Sequence, residues 1–331
     1  MIKNNFKQFK NLTESKATQS FKNLMGMLMA LIIICVLLSF LTDKFLQFRN
    51  AITILRTTSI TAIVAYGMTI VIITGGIDLS VGSIMSLGGV LCSLLIARTN
   101  AGIVVSMLAG LLVGAVFGFI NGFFITKFRM APFIVTLATS FIARGSSYLL
   151  TNARPVTIRE PFFFEFGNGM IGDTIPYIII YMLIVFVIVW ILLNRTKYGR
   201  RVYAIGGNEE AARFSGIKID RVKIITYVLS GLLAALAGII TCARMYSGQP
   251  VIGETMPMDA IAGVVLGGTS MNGGFGTLTG TIIGCIIMGV INNGMNLIGL
   301  NAFWQQIAKG VVILIAVYAD AMKKKSRKAL S

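Results

Sequence analysis

The sequence predicts an all-α polytopic membrane protein with about ten transmembrane helices. Of its 331 residues, 56% are apolar and only 12% are charged, whereas soluble domains carry roughly 25% charged residues. Several apolar runs also reach the ~20 residues that an α-helix needs to cross the ~30 Å hydrocarbon core of a bilayer. Together these observations exclude a soluble domain.

Ten apolar segments follow one another along the chain, and we predict a span at each. The eighth is too short to cross alone, so we expect it to be extended by flanking residues or to be a half-helix buried in protein. The first follows 23 polar, lysine-bearing residues and exceeds the apolar core of a signal peptide, so we expect it to be retained. The segments cover residues 24–41, 52–73, 79–97, 103–125, 133–150, 177–193, 224–242, 258–266, 278–297 and 303–319.

The distribution of basic residues orients the chain. Ten spans place both termini on one side of the membrane, which receives 20 of the 29 Lys and Arg residues, against six on the other side. Cytoplasmic loops carry such an excess, so we expect both termini and the loop over residues 194–223 to be cytoplasmic. We therefore predict three parts: a cytoplasmic tail (1–23), a transmembrane domain (24–320) and a basic cytoplasmic tail (321–331).

Several function classes have no residues to support them. The net charge of +17 follows the positive-inside bias, with no basic stripe interleaved with aromatic residues, so we expect no nucleic-acid partner. The chain has no histidine, its four cysteines lie scattered in apolar runs, and no phosphate-binding G-x-x-x-x-G-K-[ST] motif occurs. We therefore expect no catalytic site, no metal and no cofactor in this chain.

A short polar segment interrupts the predicted cytoplasmic loop, AIGGNEEAARFSGIKID. Asn208 is a good helix N-cap, Glu209 and Glu210 suit the first turn, and Gly216 is a plausible C-terminal stop. A helix of two turns is marginal in water unless it lies against something. That support is either the protein's own membrane face or a groove on a cytoplasmic partner that receives Phe214.

Polar residues within or beside the spans have two readings. In TGGIDLSVG, Asp78 or Ser80 either caps the third span or lines the route of a solute. Amide side chains in the fourth and ninth spans either join neighbouring helices or line the same route. The candidate residues for the translocation path are Asp78, Ser80, Asn121, Asn292, Asn293 and Asn296.

Three further charges, and a stripe of glycines, read as structural. We expect Asp259 to pair with Arg144 or Lys309, or else to cap the short eighth helix after Pro257. Glycines at positions 110, 114 and 118 recur every four residues, which predicts close packing against another helix.

Four segments carry a resemblance to a known family: TGGIDLSVGSIMSLGG, AIGGNEEAARFSGI, MDAIAGVVLGGTSMNGG and INNGMNLIGL. Through them, residues 52–320 resemble the permease of ATP-binding-cassette (ABC) importers for ribose and other simple sugars. The resemblance implies a type II-like permease in the bacterial cytoplasmic (inner) membrane that pairs with a second permease copy. It also implies a cytoplasmic ABC ATPase, which binds ATP and Mg, and a periplasmic or lipid-anchored sugar-binding protein.

In such importers a short cytoplasmic helix fits a groove on the ATPase, and the resemblance assigns this role to the polar segment. It lacks the Leu-Pro ending of the best-known coupling motif. The residues implied in coupling are Gly206, Gly207, Asn208, Glu209, Glu210, Ala211, Ala212, Arg213, Phe214 and Gly216.

The residues alone leave another class of transporter open. A stand-alone secondary transporter or channel for small polar solutes would use Asp78 and Asp259 as ion or proton sites. The sequence also does not separate ribose from xylose, galactose, polyols or autoinducer-2.

Overall fold

The computed structural model describes residues 24–99 and 101–328, so the predicted tail over residues 1–23 lies outside the described residues. Helices dominate this part of the chain, as predicted. Besides two short antiparallel strand pairs, it contains α1 (Leu24–Leu41), α2 (Phe48–Ile73), α3 (Val81–Arg98), α4 (Ile103–Lys127), α5 (Pro132–Thr151), α6 (Pro161–Asn168), α7 (Tyr177–Arg195), α8 (Lys197–Gly207), α9 (Glu209–Phe214), α10 (Ile219–Met245), α11 (Met256–Leu266), α12 (Leu278–Leu297) and α13 (Ala302–Lys328).

Each of the ten predicted segments forms a helix. Within the described residues, eight helices are long and apolar enough to cross a membrane, namely α1 to α5, α7, α10 and α12. The other two predicted segments correspond to α11 and to the apolar part of α13, Ala302–Ile315. The short eighth segment is thus a short helix, as predicted, while α13 continues into the predicted basic tail as far as Lys328.

Helix α10 lies at the centre of the fold and packs against α2, α3 and α4. The predicted glycine stripe on α4 forms this contact: Gly114 meets the backbone of Gly231, and Gly118 meets the backbone of Tyr227. A Cβ atom at either α4 position would overlap that backbone, so larger residues would push the helices apart.

Two irregular segments enter the helical bundle. The first joins α2 to α3 over residues 74–80. The second follows α10: β4 (Ser247–Gly248) pairs with β1 (Val156–Thr157), and the chain then runs beside α3, where Ser86 Oγ donates a hydrogen bond of 2.8 Å to Pro250 O. Near the end of this second segment, Gly253 packs against the backbone of Gly82, so α11 begins beside the start of α3. Irregular backbone inside a membrane bundle is tolerated where it is buried in protein or lines a water-filled cavity.

The second strand pair lies in the same large loop as α6. β2 (Met170–Ile171) pairs with β3 (Ile175–Pro176) just before α7. Helix α6 packs over the end of α10, where the rings of Phe164 and Tyr246 stack with centroids 3.9 Å apart. The loop therefore covers the end of α10 that lies opposite α9.

Candidate functional site

Helix α9 has both of the predicted end signals. The Asn208 side chain caps its start, because Oδ1 accepts a hydrogen bond of 3.0 Å from Ala211 N. At its end Gly216 adopts a φ of 78°, a left-handed conformation that glycine reaches without steric cost. The chain then turns back through a 3.1 Å bond from Ile217 N to Ala212 O. Both predictions are confirmed.

Helix α9 rests on its own chain with one face and presents the other to solvent. Ala212 is buried, and Lys223 Nζ of α10 lies 2.7 Å from the Glu209 carboxylate. Arg213 lies 3.5 Å from the same carboxylate. Phe214, in contrast, is 90% exposed. The Phe214 ring therefore makes almost no packing contact within its own chain.

A groove lies beside this exposed face. It has a volume of about 860 Å³ and separates α9 from the loop that joins α4 to α5. Its walls are mixed, with apolar Met130 and Phe214 next to charged groups of both signs. The exposed residues of α9 and this groove together form one continuous surface.

Helix α8 connects α9 to the membrane-embedded helices. Gly206, in its last turn, packs directly on Ile73 O and Gly274 N, and these two atoms are themselves hydrogen-bonded at 2.9 Å. The Tyr203 hydroxyl donates a bond of 2.8 Å to Gly276 O, and burial raises the pKa of this phenol further above neutral pH. A movement of α8 therefore acts on the end of α2 and on the loop before α12.

Asp78 is the centre of a buried polar network that also contains Ser80, Asn121, Thr139 and Ser230. One carboxylate oxygen accepts bonds from Ser80 N (3.0 Å) and Ser80 Oγ (2.5 Å), and the other accepts from Ser230 Oγ (2.8 Å). Asn121 Nδ2 donates to Ser80 Oγ (2.8 Å), and Thr139 Oγ1 donates to Asn121 Oδ1 (2.7 Å). This Asp78 network joins α3, α4, α5 and α10.

The predicted capping of the third span is wrong in detail. Ser80 occupies the N-cap position of α3, but its side chain makes no capping bond to the helix. Its hydroxyl is taken up by Asp78 and Asn121 instead, because both lie within hydrogen-bonding distance. Asp78 reaches the N–H of Ser80 but no N–H inside the helix.

The family of the chain is decided by its similarity to known proteins. A family model described as branched-chain amino acid transport system / permease component matches residues 50–317. The chain belongs to this permease family. It is therefore a multi-pass inner-membrane protein and the permease subunit of an ABC importer, which is a transport subunit and not an enzyme.

Relatives match the permease over nearly its whole length. It is 48% identical to the ribose import permease protein of Bacillus subtilis (strain 168), over 90% of this chain and 93% of the relative. The identity to the ribose import permease protein of Escherichia coli (strain K12) is 46% over the same shares. The L-arabinose transport system permease protein of the same strain is 37% identical over 92% of both chains.

The six residues predicted to line the translocation path fall into separate groups. Asp78, Ser80 and Asn121 share the buried network, whereas Asn293 Nδ2 bonds Asn50 Oδ1 (2.9 Å) and Asn296 Oδ1 accepts from Gln305 Nε2 (2.7 Å). Asn292, on α12 like the last two, keeps a buried Oδ1 without a hydrogen-bond partner among the described residues. No hydrogen bond between described residues links the α12 amides to the Asp78 network.

The predicted structural charges separate as well. Asp259 pairs with Lys309 at 2.8 Å, which confirms one of the two expected partners and joins α11 to α13. Arg144 forms no hydrogen bond or ion pair with Asp259 and donates instead to Pro250 O (2.6 Å) and Ile252 O (2.8 Å). It thus holds the irregular segment that leads into α11.

Some residues of these sites gave no usable signal in the sequence. Ser230 and Thr139 are single hydroxyls inside apolar helices, and hydroxyls of this kind usually bond their own helix backbone. Tyr203 lies in a basic stretch that reads as a solvated loop. Only their positions in the fold identify them.

Proposed function

We propose that this permease moves ribose, or a closely related monosaccharide, into the cytoplasm. The observation that carries this proposal is the 48% identity to a ribose import permease over 90% of the chain. The identity to an L-arabinose permease is lower, at 37% over a similar length. This difference favours ribose over other pentoses as the first substrate to test.

The cytoplasmic partner in this proposal is an ABC ATPase that docks on α9. The exposed Phe214 supports the proposal, because an aromatic ring gains roughly 1.5–3 kcal/mol when it is fully buried. The Asn208 cap and the Glu209–Lys223 ion pair hold the ring in place before the partner arrives. A pre-organised contact loses less conformational entropy on binding.

Movement of the ATPase would reach the membrane interior in two steps. Helix α8 directly precedes α9 in the chain, and Gly206 at its end has no space between itself and Ile73 O. The segment after Ile73 then leads to Asp78, whose network ties together α3, α4, α5 and α10. The bundle would therefore rock as a unit and open to alternate sides, with no chemical change to the sugar.

We propose that a sugar-binding protein docks at the end of α10 opposite α9. In this arrangement that end of α10 lies outside the cell membrane and α9 lies in the cytoplasm. Arg244 lies near this end and Arg56 beside it, and neither forms an ion pair with any described residue. Arg56 Nη2 bonds Asn168 Oδ1 of α6 at 2.7 Å. Two adjacent cations without acidic partners suit acidic groups on an incoming protein.

Reconstitution tests the whole assignment. In liposomes, the chain together with the ATPase and the binding protein of its system should accumulate ribose only when ATP is present on the ATPase side. We expect the particle to contain two permease copies, which the mass of the purified complex measures. Accumulation of ribose by the chain alone, driven by an ion gradient, would overturn the proposal and favour a secondary transporter.

A further inference from the structure

Helix α11 begins inside the membrane. Its C-terminal end meets the start of α12, where Gly267 packs on Gly280, and the next residue, Gly268, lies beside Met27 in the first turn of α1. Since α1 and α12 are spans that start there, this level is one boundary of the membrane. The 11 residues of α11 rise about 16 Å from it, so α11 starts near the middle of a core of ~30 Å.

A second helix places the same region at the same depth. Arg144 lies about 18 Å along α5 from Pro132. Pro132 itself lines the groove beside α9, so it marks the cytoplasmic end of α5. Arg144 bonds the carbonyls of Pro250 and Ile252, which lie six and four positions before the start of α11. Two independent elements therefore locate this segment at mid-depth.

A charged surface lies at this depth. Glu254 and Thr255, the two residues before α11, are exposed, and Arg144 is close enough to Glu254 for their charges to interact. We call Arg144, Glu254 and Thr255 the mid-membrane face. A carboxylate that faced lipid here would be strongly disfavoured, and charged residues within spans almost always face a bundle interior or a water-filled cavity.

We propose that the mid-membrane face borders a water-filled cavity, and that the Glu254 carboxylate accepts hydrogen bonds from the hydroxyl groups of the transported solute. The solute part of this inference rests on the proposed sugar transport, whereas the cavity part does not. A carboxylate has about four lone-pair sites and suits the adjacent hydroxyls of a polyol or sugar. Arg144 is the positioning residue, because it holds the segment that presents Glu254.

The Asp78 network does not provide such a surface. Asp78, Ser80 and Asn121 are fully buried, and both carboxylate oxygens already accept bonds from serines. A passing solute would have to break bonds there before it formed its own. Glu254 is exposed and forms no hydrogen bond or ion pair with any described residue, so its oxygens are available.

Cysteine labelling tests the cavity. Glu254→Cys should react with a water-soluble maleimide in membrane vesicles of at least one orientation, since a thiol in water reaches the reactive thiolate form and a thiol in lipid does not. Ile188→Cys is the matched control: Ile188 is 59% exposed near the middle of α7, where it should face lipid and stay unlabelled. If Glu254→Cys is as unreactive as the control, the cavity does not exist. The background first needs replacement of Cys35, Cys92, Cys242 and Cys285.

Uptake with the native cysteines in place tests the solute contact. Glu254→Leu should lower ribose uptake roughly tenfold or more, the loss expected for a hydrogen bond to a charged group, and Glu254→Gln should retain part of it. Asp173→Asn, an exposed acid in the turn between β2 and β3, should leave uptake unchanged. Wild-type uptake by Glu254→Leu would overturn the contact. No uptake by the wild-type complex would instead refute the proposed sugar, while the labelling would still decide the cavity.

Discussion

Replacing Phe214 with alanine separates binding of the ATPase from stability of the permease. Phe214 is 90% exposed, so almost no packing is lost within the chain. We expect the free energy of unfolding to change by no more than ~0.5 kcal/mol, as for other surface substitutions. If the ring enters a groove on the ATPase, nearly the whole burial energy of a phenylalanine, roughly 1.5–3 kcal/mol, belongs to the complex.

That energy sets the size of the effect. A loss of 1.5–3 kcal/mol corresponds to a roughly 10- to 150-fold weaker Kd. The measurement is the affinity of the ATPase for detergent-solubilised permease, together with the thermal unfolding midpoint of each variant. Phe162→Ala is a suitable control, because Phe162 is 64% exposed on α6, at the opposite end of α10.

The outcome is clear in either direction. Phe214→Ala should weaken ATPase affinity and lower uptake while membrane insertion and the unfolding midpoint stay at wild-type values, and Glu210→Arg should lower uptake in the same way. Equal affinity for Phe214→Ala and wild type would mean that the ring enters no groove, and the proposed role of α9 would be wrong.

Three further substitutions test the route inward from α9. Asp78→Asn places an amide where the carboxylate accepts from Ser230, so the unfolding midpoint should fall by several degrees, about 1.5–3 kcal/mol; an unchanged midpoint would contradict the network. Gly206→Ala adds a methyl group against Ile73 O, so uptake should fall although the protein still inserts into the membrane. Normal uptake by this variant would mean that α8 can shift away from α2 without affecting transport. Asn208→Ala removes the cap, worth ~1 kcal/mol, and should weaken ATPase affinity, with Asn208→Ser restoring it; a serine variant as weak as alanine would argue against capping.

The sequence predicted the elements whose signals are local. Apolar length alone located the ten helical segments, and the cap and stop of α9 follow from Asn208 and Gly216, which are only eight positions apart in the chain. Contacts between residues far apart in the chain could not be predicted from the sequence. Asp78 bonds Ser230, which is 152 positions away, and no sequence pattern links the two. The depth of Glu254 was equally hidden, because it depends on where α11 begins relative to three other helices.

The Asp78 network explains how a bundle interrupted by two irregular segments can move as one body. A buried polar network is often no more stable than apolar packing of equal volume, so stability alone does not account for it. It does impose one arrangement, since every donor from Thr139 through Asn121 and Ser80 points toward a single carboxylate. Any sliding of α4 against α10 would leave a buried polar group without a partner. In the proposed mechanism, a push on α9 would therefore move the joined helices together, along with the segment that carries Glu254.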